Sequence, residues 1–83
     1  MLEEVRTILG ESLQLGARAR QLQPKTPLLG NLPELDSLAV VNVITAIEEH
    51  YGVVIDDDEL SADIFRNLGS LTAFVEDKVN GGG

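Results

Sequence analysis

Cysteine is absent from the 83-residue chain. That excludes a disulfide framework and any thiolate metal site, and it fits a reducing compartment. Tryptophan is absent too, and aromatic residues make up 4% of the chain, so the core has to be built from Leu, Val and Ile. Basic residues are scarce: six Lys and Arg stand against fourteen Asp and Glu, a net charge of −8. A nucleic-acid backbone would repel such a chain, and so would an anionic membrane surface. No apolar run approaches the roughly 20 residues that cross a bilayer. The start, Met1-Leu2-Glu3-Glu4, lacks the basic opening of a signal peptide. A cytoplasmic protein is expected.

Hydrophobic residues reach 43%, enough for one aliphatic core in one domain. The expected domain spans residues 1–80, followed by a flexible glycine tail at 81–83. Acids are unevenly spread. Between Thr26 and Phe65 there is no Lys or Arg, while Glu34, Asp36, Glu48, Glu49, Asp56, Asp57, Asp58, Glu59 and Asp63 all fall there. One side of the molecule should be anionic and suited to partners with basic patches.

Periodicity predicts helices. Leu2, Val5, Ile8, Leu9 and Leu13 recur at three- and four-residue steps, which predicts a helix from 2 to about 20. Gly10 and Gly16 weaken it. Residues 21–35 form a long connection broken by Pro24, Pro27 and Pro33. Its leucines (Leu28, Leu29, Leu32 and Leu35) predict that part of it is pinned to the core. A second helix is predicted from 37 to about 51, with Asp36 or Ser37 as N-cap and Gly52 as the stop. Val53-Val54-Ile55 reads as a short extended segment. A brief third helix should start at Ser61 and end near Gly69, and a fourth should run from an N-cap at Ser70 to Val79. The predicted fold is all-α, a four-helix bundle with a long first loop and a short third helix.

The chemistry centres on Asp36-Ser37-Leu38. A serine at a helix mouth beside a carboxylate is either an ordinary cap or a presented hydroxyl. Self-contained nucleophilic catalysis is not expected. The one histidine, His50, lies thirteen residues further along the same predicted helix, about 20 Å away by helical rise. No Gly-x-Ser-x-Gly elbow surrounds the serine. The acids at 56–59 lack the alternating register of a calcium loop, so no specific metal site is expected.

From about Leu28 to Val79 the chain resembles the acyl carrier proteins. The resemblance is carried by Leu35-Asp36-Ser37-Leu38, by the aliphatic second helix, and by Ala46-Ile47-Glu48-Glu49-His50-Tyr51-Gly52. Val54-Ile55 followed by acids extends it. It implies a non-enzymatic carrier with 4′-phosphopantetheine covalently attached at Ser37. Asp36 and Leu38 would serve as recognition neighbours for a phosphopantetheinyl transferase. Acyl-loading and acyl-transferring enzymes would be the further partners of a monomer. Val40, Glu48, Glu49, Asp56 and Asp57 are the expected docking residues. Val41, Ile44, Ala46, Ile47, Ile64 and Phe65 are expected to shelter an acyl chain. The run Leu35-Asp36-Ser37-Leu38-Ala39-Val40-Val41-Asn42-Val43 also looks like carriers of exosortase and exopolysaccharide clusters.

Three positions depart from the usual pattern of the family. Glu34 replaces a frequent glycine, and Ala39 and Asn42 replace frequent acids, which leaves the surface near the serine more apolar. Two other readings stand beside the acyl carrier. A peptidyl carrier of an amino-acid-activating system shares the fold and the arm, though it would typically be less acidic around the second helix. A non-carrier helical interaction domain would use Ser37 as a cap only.

Overall fold

The first helix, α1, covers Leu2–Ser12 and buries Val5, Ile8 and Leu9. It stops well short of residue 20. Gln14 has φ 56° and Gly16 φ 60°, a left-handed geometry that cannot propagate a right-handed helix. Leu13 and Leu15 explain the break. Both are buried, yet in a continuous helix they would point about 200° apart. Turning the chain there puts both inside.

A 3₁₀ turn at Gly16–Gln21 then folds back along α1. Gly10 makes room for it: a Cβ at Gly10 would lie 2.6 Å from the Cβ of Ala19. Helix propensity alone would favour alanine at position 10 by about 1 kcal/mol, but that contact forbids it. Arg6 ties the two pieces together, its Nε donating to the Leu22 carbonyl at 3.1 Å.

The structure is a computed structural model that describes residues 1–81. The expected glycine tail falls mostly beyond them. Gly81 ends the last helix, its N–H donating to the Asp77 carbonyl at 2.8 Å, and Gly82 and Gly83 lie outside the described residues.

The long connection is anchored from both sides. Leu22, Leu28 and Leu35 are buried, Leu32 packs against the core, and Leu29 is exposed. The backbone is stitched to residues 65–69. Leu28 N–H donates to the Arg66 carbonyl at 3.1 Å, Leu29 N–H to Phe65 at 3.0 Å, and Gly69 N–H to Pro24 at 2.8 Å. Pro27 and Asn67 form an isolated antiparallel bridge. These bonds satisfy loop amides that would otherwise be costly near the core.

The second helix, α2, covers Ser37–Tyr51, as its periodicity predicts. It buries Ala39, Val43, Ile44 and Ile47. Gly52 closes it at φ 67°, with its N–H on the Glu48 carbonyl at 2.8 Å. Only glycine takes that conformation without steric cost.

After α2 the chain passes through Val53–Asp56 without regular structure. It makes two short 3₁₀ turns, Asp57–Glu59 and Ala62–Phe65. The second is the short third helix of the bundle, and it buries Ile64 and Phe65. It ends earlier than expected because Asn67 caps the helix after it.

That last helix, α3, covers Leu68–Asn80. Its N-cap is Asn67, not Ser70. Ser70 N–H donates to Asn67 Oδ1 at 2.7 Å, and Asn67 N–H donates to Ser70 Oγ at 3.1 Å. Ser70 Oγ also donates to the Ile64 carbonyl at 2.8 Å, joining the third element to α3. Leu68, Leu71 and Val75 are fully buried, and Phe74 lies half-buried beside them. No strand is present among the described residues, and the architecture is the expected all-α four-helix bundle.

Candidate functional site

Burial changes abruptly at the mouth of α2. Leu35 is buried; Asp36, Ser37 and Leu38 are exposed; Ala39 is buried again. The chain therefore presents three consecutive side chains to water from a backbone held on both sides. Asp36, with φ −106° and ψ −175°, is the N-cap. Its Oδ1 accepts from Ala39 N–H at 2.8 Å, and its carbonyl accepts from Val40 N–H at 2.9 Å.

The capping duty thus falls on the aspartate and not on the serine. Among the described residues, the Ser37 hydroxyl takes part in no hydrogen bond of its own. It stands free at the first position of a 15-residue helix. The amides and the dipole at that end favour a negatively charged substituent. An anionic phosphodiester fits such a hydroxyl, and the neighbouring carboxylate is already drawn toward the helix.

The approach to this point is braced. Glu34 Oε2 accepts from Arg18 Nη2, which comes from the 3₁₀ turn after α1. That bond is the main reason the Glu34 carboxyl is held below its ordinary range. Its other oxygen, Oε1, is shielded from water without a partner. The Glu34 carbonyl accepts from Asp36 N–H at 3.2 Å.

The other expected site residues divide. Ile44, Ile47, Ile64 and Phe65 are buried together in the core, and Ala46 is half-buried beside them. Val41 does not belong with them: 56% of it is exposed. Val40, expected on the docking face, is half-buried and packed on the core. The two valines have exchanged roles, because Ala39, Val43 and Ile47 set the inward direction of the helix at four-residue steps. Two clefts of about 400 and 240 Å³ run along α1. The first involves Gly10, Gly16 and Ala19, and the second Glu3, Glu4 and His50. Neither is lined by the expected pocket residues.

Glu48 is less free than a docking charge would be, since its Oε2 accepts from Ile55 N–H at 2.8 Å and holds the chain after α2. Glu49, Asp56 and Asp57 are exposed. Glu59 accepts from Asp56 N–H at 3.0 Å and from Lys78 Nζ at 2.8 Å. Both bonds, that from Lys78 first, lower its carboxyl from the ordinary range. No cluster of His, Asp and Glu able to hold a metal ion occurs among the described residues. No helix of the structure is long and apolar enough to cross a membrane.

His50 is exposed and meets Tyr51 edge to face, with ring centroids 4.6 Å apart. Tyr51 donates to Glu4 Oε1 at 3.0 Å, joining the end of α2 to the start of α1. Partial burial, and then the Glu4 carboxylate, push the phenol up to about 12. The raised value means that the neutral phenol is favoured by folding. Its contribution to stability is complete below the unfolded value near 10 and is lost as pH rises through about 12. Tyr51 is the single tyrosine and tryptophan is absent, so ultraviolet absorbance reports it alone. The tyrosinate band should appear with a midpoint near 12 in the native chain and near 10 in urea. In Glu4→Gln the native midpoint should move down part of the way. Equal midpoints in native and unfolded protein would refute the contact.

Sequence reasoning missed the Arg18–Glu34 brace and the loop stitching to residues 65–69. The brace joins side chains sixteen residues apart, across a turn that periodicity does not reveal.

Comparison with known proteins bears on the family of the chain. A family model described as "Phosphopantetheine attachment site" matches residues 3–75. An acyl carrier protein of Helicobacter pylori (strain G27) is 34% identical over 77 residues, covering 93% of this chain and 92% of the relative. That of strain J99 is 31% identical over the same length. The solution NMR structure of a holo acyl carrier protein from Nitrosomonas europaea superposes with a TM-score of 0.88. It is 58% identical in sequence, and 95% of each chain is covered.

Proposed function

The chain belongs to the acyl carrier proteins, the family marked by a phosphopantetheine attachment site, and from that premise we propose that Ser37 is the residue that receives the arm. Proteins of this kind bear 4′-phosphopantetheine and carry cargo without catalysing its chemistry. The single observation behind the choice of Ser37 is its free, exposed hydroxyl at the mouth of α2, beside a carboxylate that has taken over the capping role.

The transfer balances simply. Ser37 Oγ forms a bond to the phosphorus of coenzyme A nearest the pantetheine, and the P–O bond to 3′,5′-ADP breaks. The serine proton passes to a base on the transferase, which also supplies Mg²⁺. Once attached, the arm ends in a thiol that holds an acyl group as a thioester. A tether of that kind gives its cargo a high effective concentration at any docked enzyme.

Around this centre, Asp36 and Leu38 serve recognition by the transferase. Glu49, Asp56 and Asp57 offer charge to basic patches on acyl-loading and acyl-transferring enzymes, with Glu48 and Val40 behind them. The pathway is fatty-acid-like or a specialised variant of it, and the chain works as a cytoplasmic monomer with one carrier domain over residues 1–80. A bound acyl chain would part α2 from the Ala62–Phe65 turn, between Ile44, Ile47, Ile64 and Phe65. Ala46 would lie at the edge.

The test is direct. Incubated with coenzyme A, Mg²⁺ and a broad-specificity transferase, the intact chain should gain the mass of one phosphopantetheine, and peptide sequencing should place it on Ser37. No gain, or a gain elsewhere, refutes the assignment. Methyl chemical shifts of Ile44, Ile47 and Ile64 that stay the same with and without an acyl chain would remove the pocket.

A further inference from the structure

Resting on the reading of Ser37 as the anchorage, we propose that the cognate phosphopantetheinyl transferase meets this chain mainly through an apolar cleft that takes Leu38 and Val41. Basic side chains on that enzyme reach only the far end of α2. The outer face of α2 presents Leu38, Val41, Asn42, Thr45 and Glu49. Leu38 is 70% exposed and Val41 56%, and both belong to the few large apolar side chains that the described residues leave in water. Three residues apart on a helix, they form one patch.

Charge is missing where a basic partner would need it. From Ser37 to Ile47, α2 carries no acid. Glu48, the first one, is engaged with Ile55 N–H. Elsewhere in the acidic stretch the chain answers its own carboxylates: Glu34 pairs with Arg18, Glu59 with Lys78, and Asp63 with Arg66. Asp36 has one oxygen in the cap.

Beyond Asp36, the exposed acids of that stretch without a cationic partner are Glu49, Asp56, Asp57 and Asp58, which gather at the last turn of α2 and just beyond, with Asp56 tied into the capping box of the Asp57–Glu59 turn. Glu49 lies about 18 Å from Ser37 by helical rise. That is nearly two screening lengths in 0.1 M salt, where the Debye length is about 10 Å. A basic surface centred on the serine would find little to pair with, whereas an apolar one would remove Leu38 and Val41 from water. Complementarity therefore favours an apolar centre with a cationic rim on one side.

The experiment follows transfer from coenzyme A by the purified cognate transferase, using the full chain and intact-mass detection. Leu38→Ala combined with Val41→Ala should raise KM by about tenfold or more, with kcat kept within about twofold. Both side chains are exposed, and circular dichroism checks that the variant stays helical. Raising NaCl from about 0.05 to about 0.5 M should change the wild-type KM by less than about threefold. Asn42→Glu, which adds an acid to the face, should raise KM.

An unchanged KM in the double variant overturns the proposal. So does a KM that climbs steeply with salt and falls in Asn42→Glu, the signature of a basic partner. Sedimentation showing a dimer that the double variant dissociates would assign the patch to a second copy of the chain and overturn it as well. A wild-type chain that no transferase modifies refutes the Ser37 assignment itself, and this proposal with it. A wild-type chain modified normally but indifferent to Leu38 and Val41 refutes only the apolar docking.

Discussion

Ser37→Ala should abolish phosphopantetheine attachment while leaving the fold as stable as before. The two halves of that result have separate causes. Attachment needs an oxygen to form the phosphodiester, and alanine has none. Stability is untouched because Ser37 is exposed and the cap is made by Asp36 Oδ1 on Ala39 N–H. Exposed substitutions away from such features change stability by less than about 0.5 kcal/mol, and alanine is a good helix former.

The neighbouring variant should behave in the opposite way. Asp36→Ala removes the cap and should cost about 1 kcal/mol. For a chain of this length that is a fall in melting temperature of roughly 4–8 °C. Ser37 would remain present to be modified, at reduced efficiency. Thermal melts and intact masses of the two variants, measured side by side, check both statements. A clear loss of stability in Ser37→Ala would mean that the serine caps the helix after all.

Leu28→Ala should be among the most damaging single truncations in the connection between α1 and α2. Leu28 is fully buried although it lies in a loop. Its backbone N–H is bonded to the Arg66 carbonyl at 3.1 Å, so the loop cannot easily collapse into the space left behind. Truncation of a buried leucine costs about 2–5 kcal/mol. A domain of this size holds only roughly 4–12 kcal/mol in total. The expected fall in melting temperature is about 8 °C or more.

Leu29→Ala is the control within the same segment. Leu29 is 45% exposed, and its removal should change stability by under about 0.5 kcal/mol. If the two variants melt together, Leu28 does not anchor the loop. Loss of Leu28 should also loosen the path to Leu35 and Asp36, so attachment at Ser37 should slow near the melting range of the variant.

The legible parts of the sequence were the local ones. Helix α2 was readable as a span from 37 to about 51 with Gly52 as its left-handed stop and an aliphatic face between, while the choice of Asp36 over Ser37 as the cap came from the structure. The candidate site could be located for the same reason, since Asp36-Ser37-Leu38 lies within one turn and its place at the mouth of α2 is a local property. What failed were places where a local signal competed with a distant one. Ser70 is a good cap in isolation, but Asn67 takes the role because Ser70 Oγ reaches both Asn67 and Ile64. The first helix looked continuous to residue 20, but burying Leu13 and Leu15 together required a break.

Composition, helix count, the identity of the exposed hydroxyl and the acidic balance follow from residue type and spacing, because capping, periodicity and net charge are properties of short stretches of chain. The tertiary structure alone decided which way α2 faces, and so placed Val41 in water and Val40 against the core. It alone decided which carboxylates stay free, by bringing Arg18 to Glu34 and Lys78 to Glu59. Those outcomes depend on contacts between segments sixteen and nineteen residues apart, and no local pattern encodes the distance between two side chains that meet only when the chain has folded.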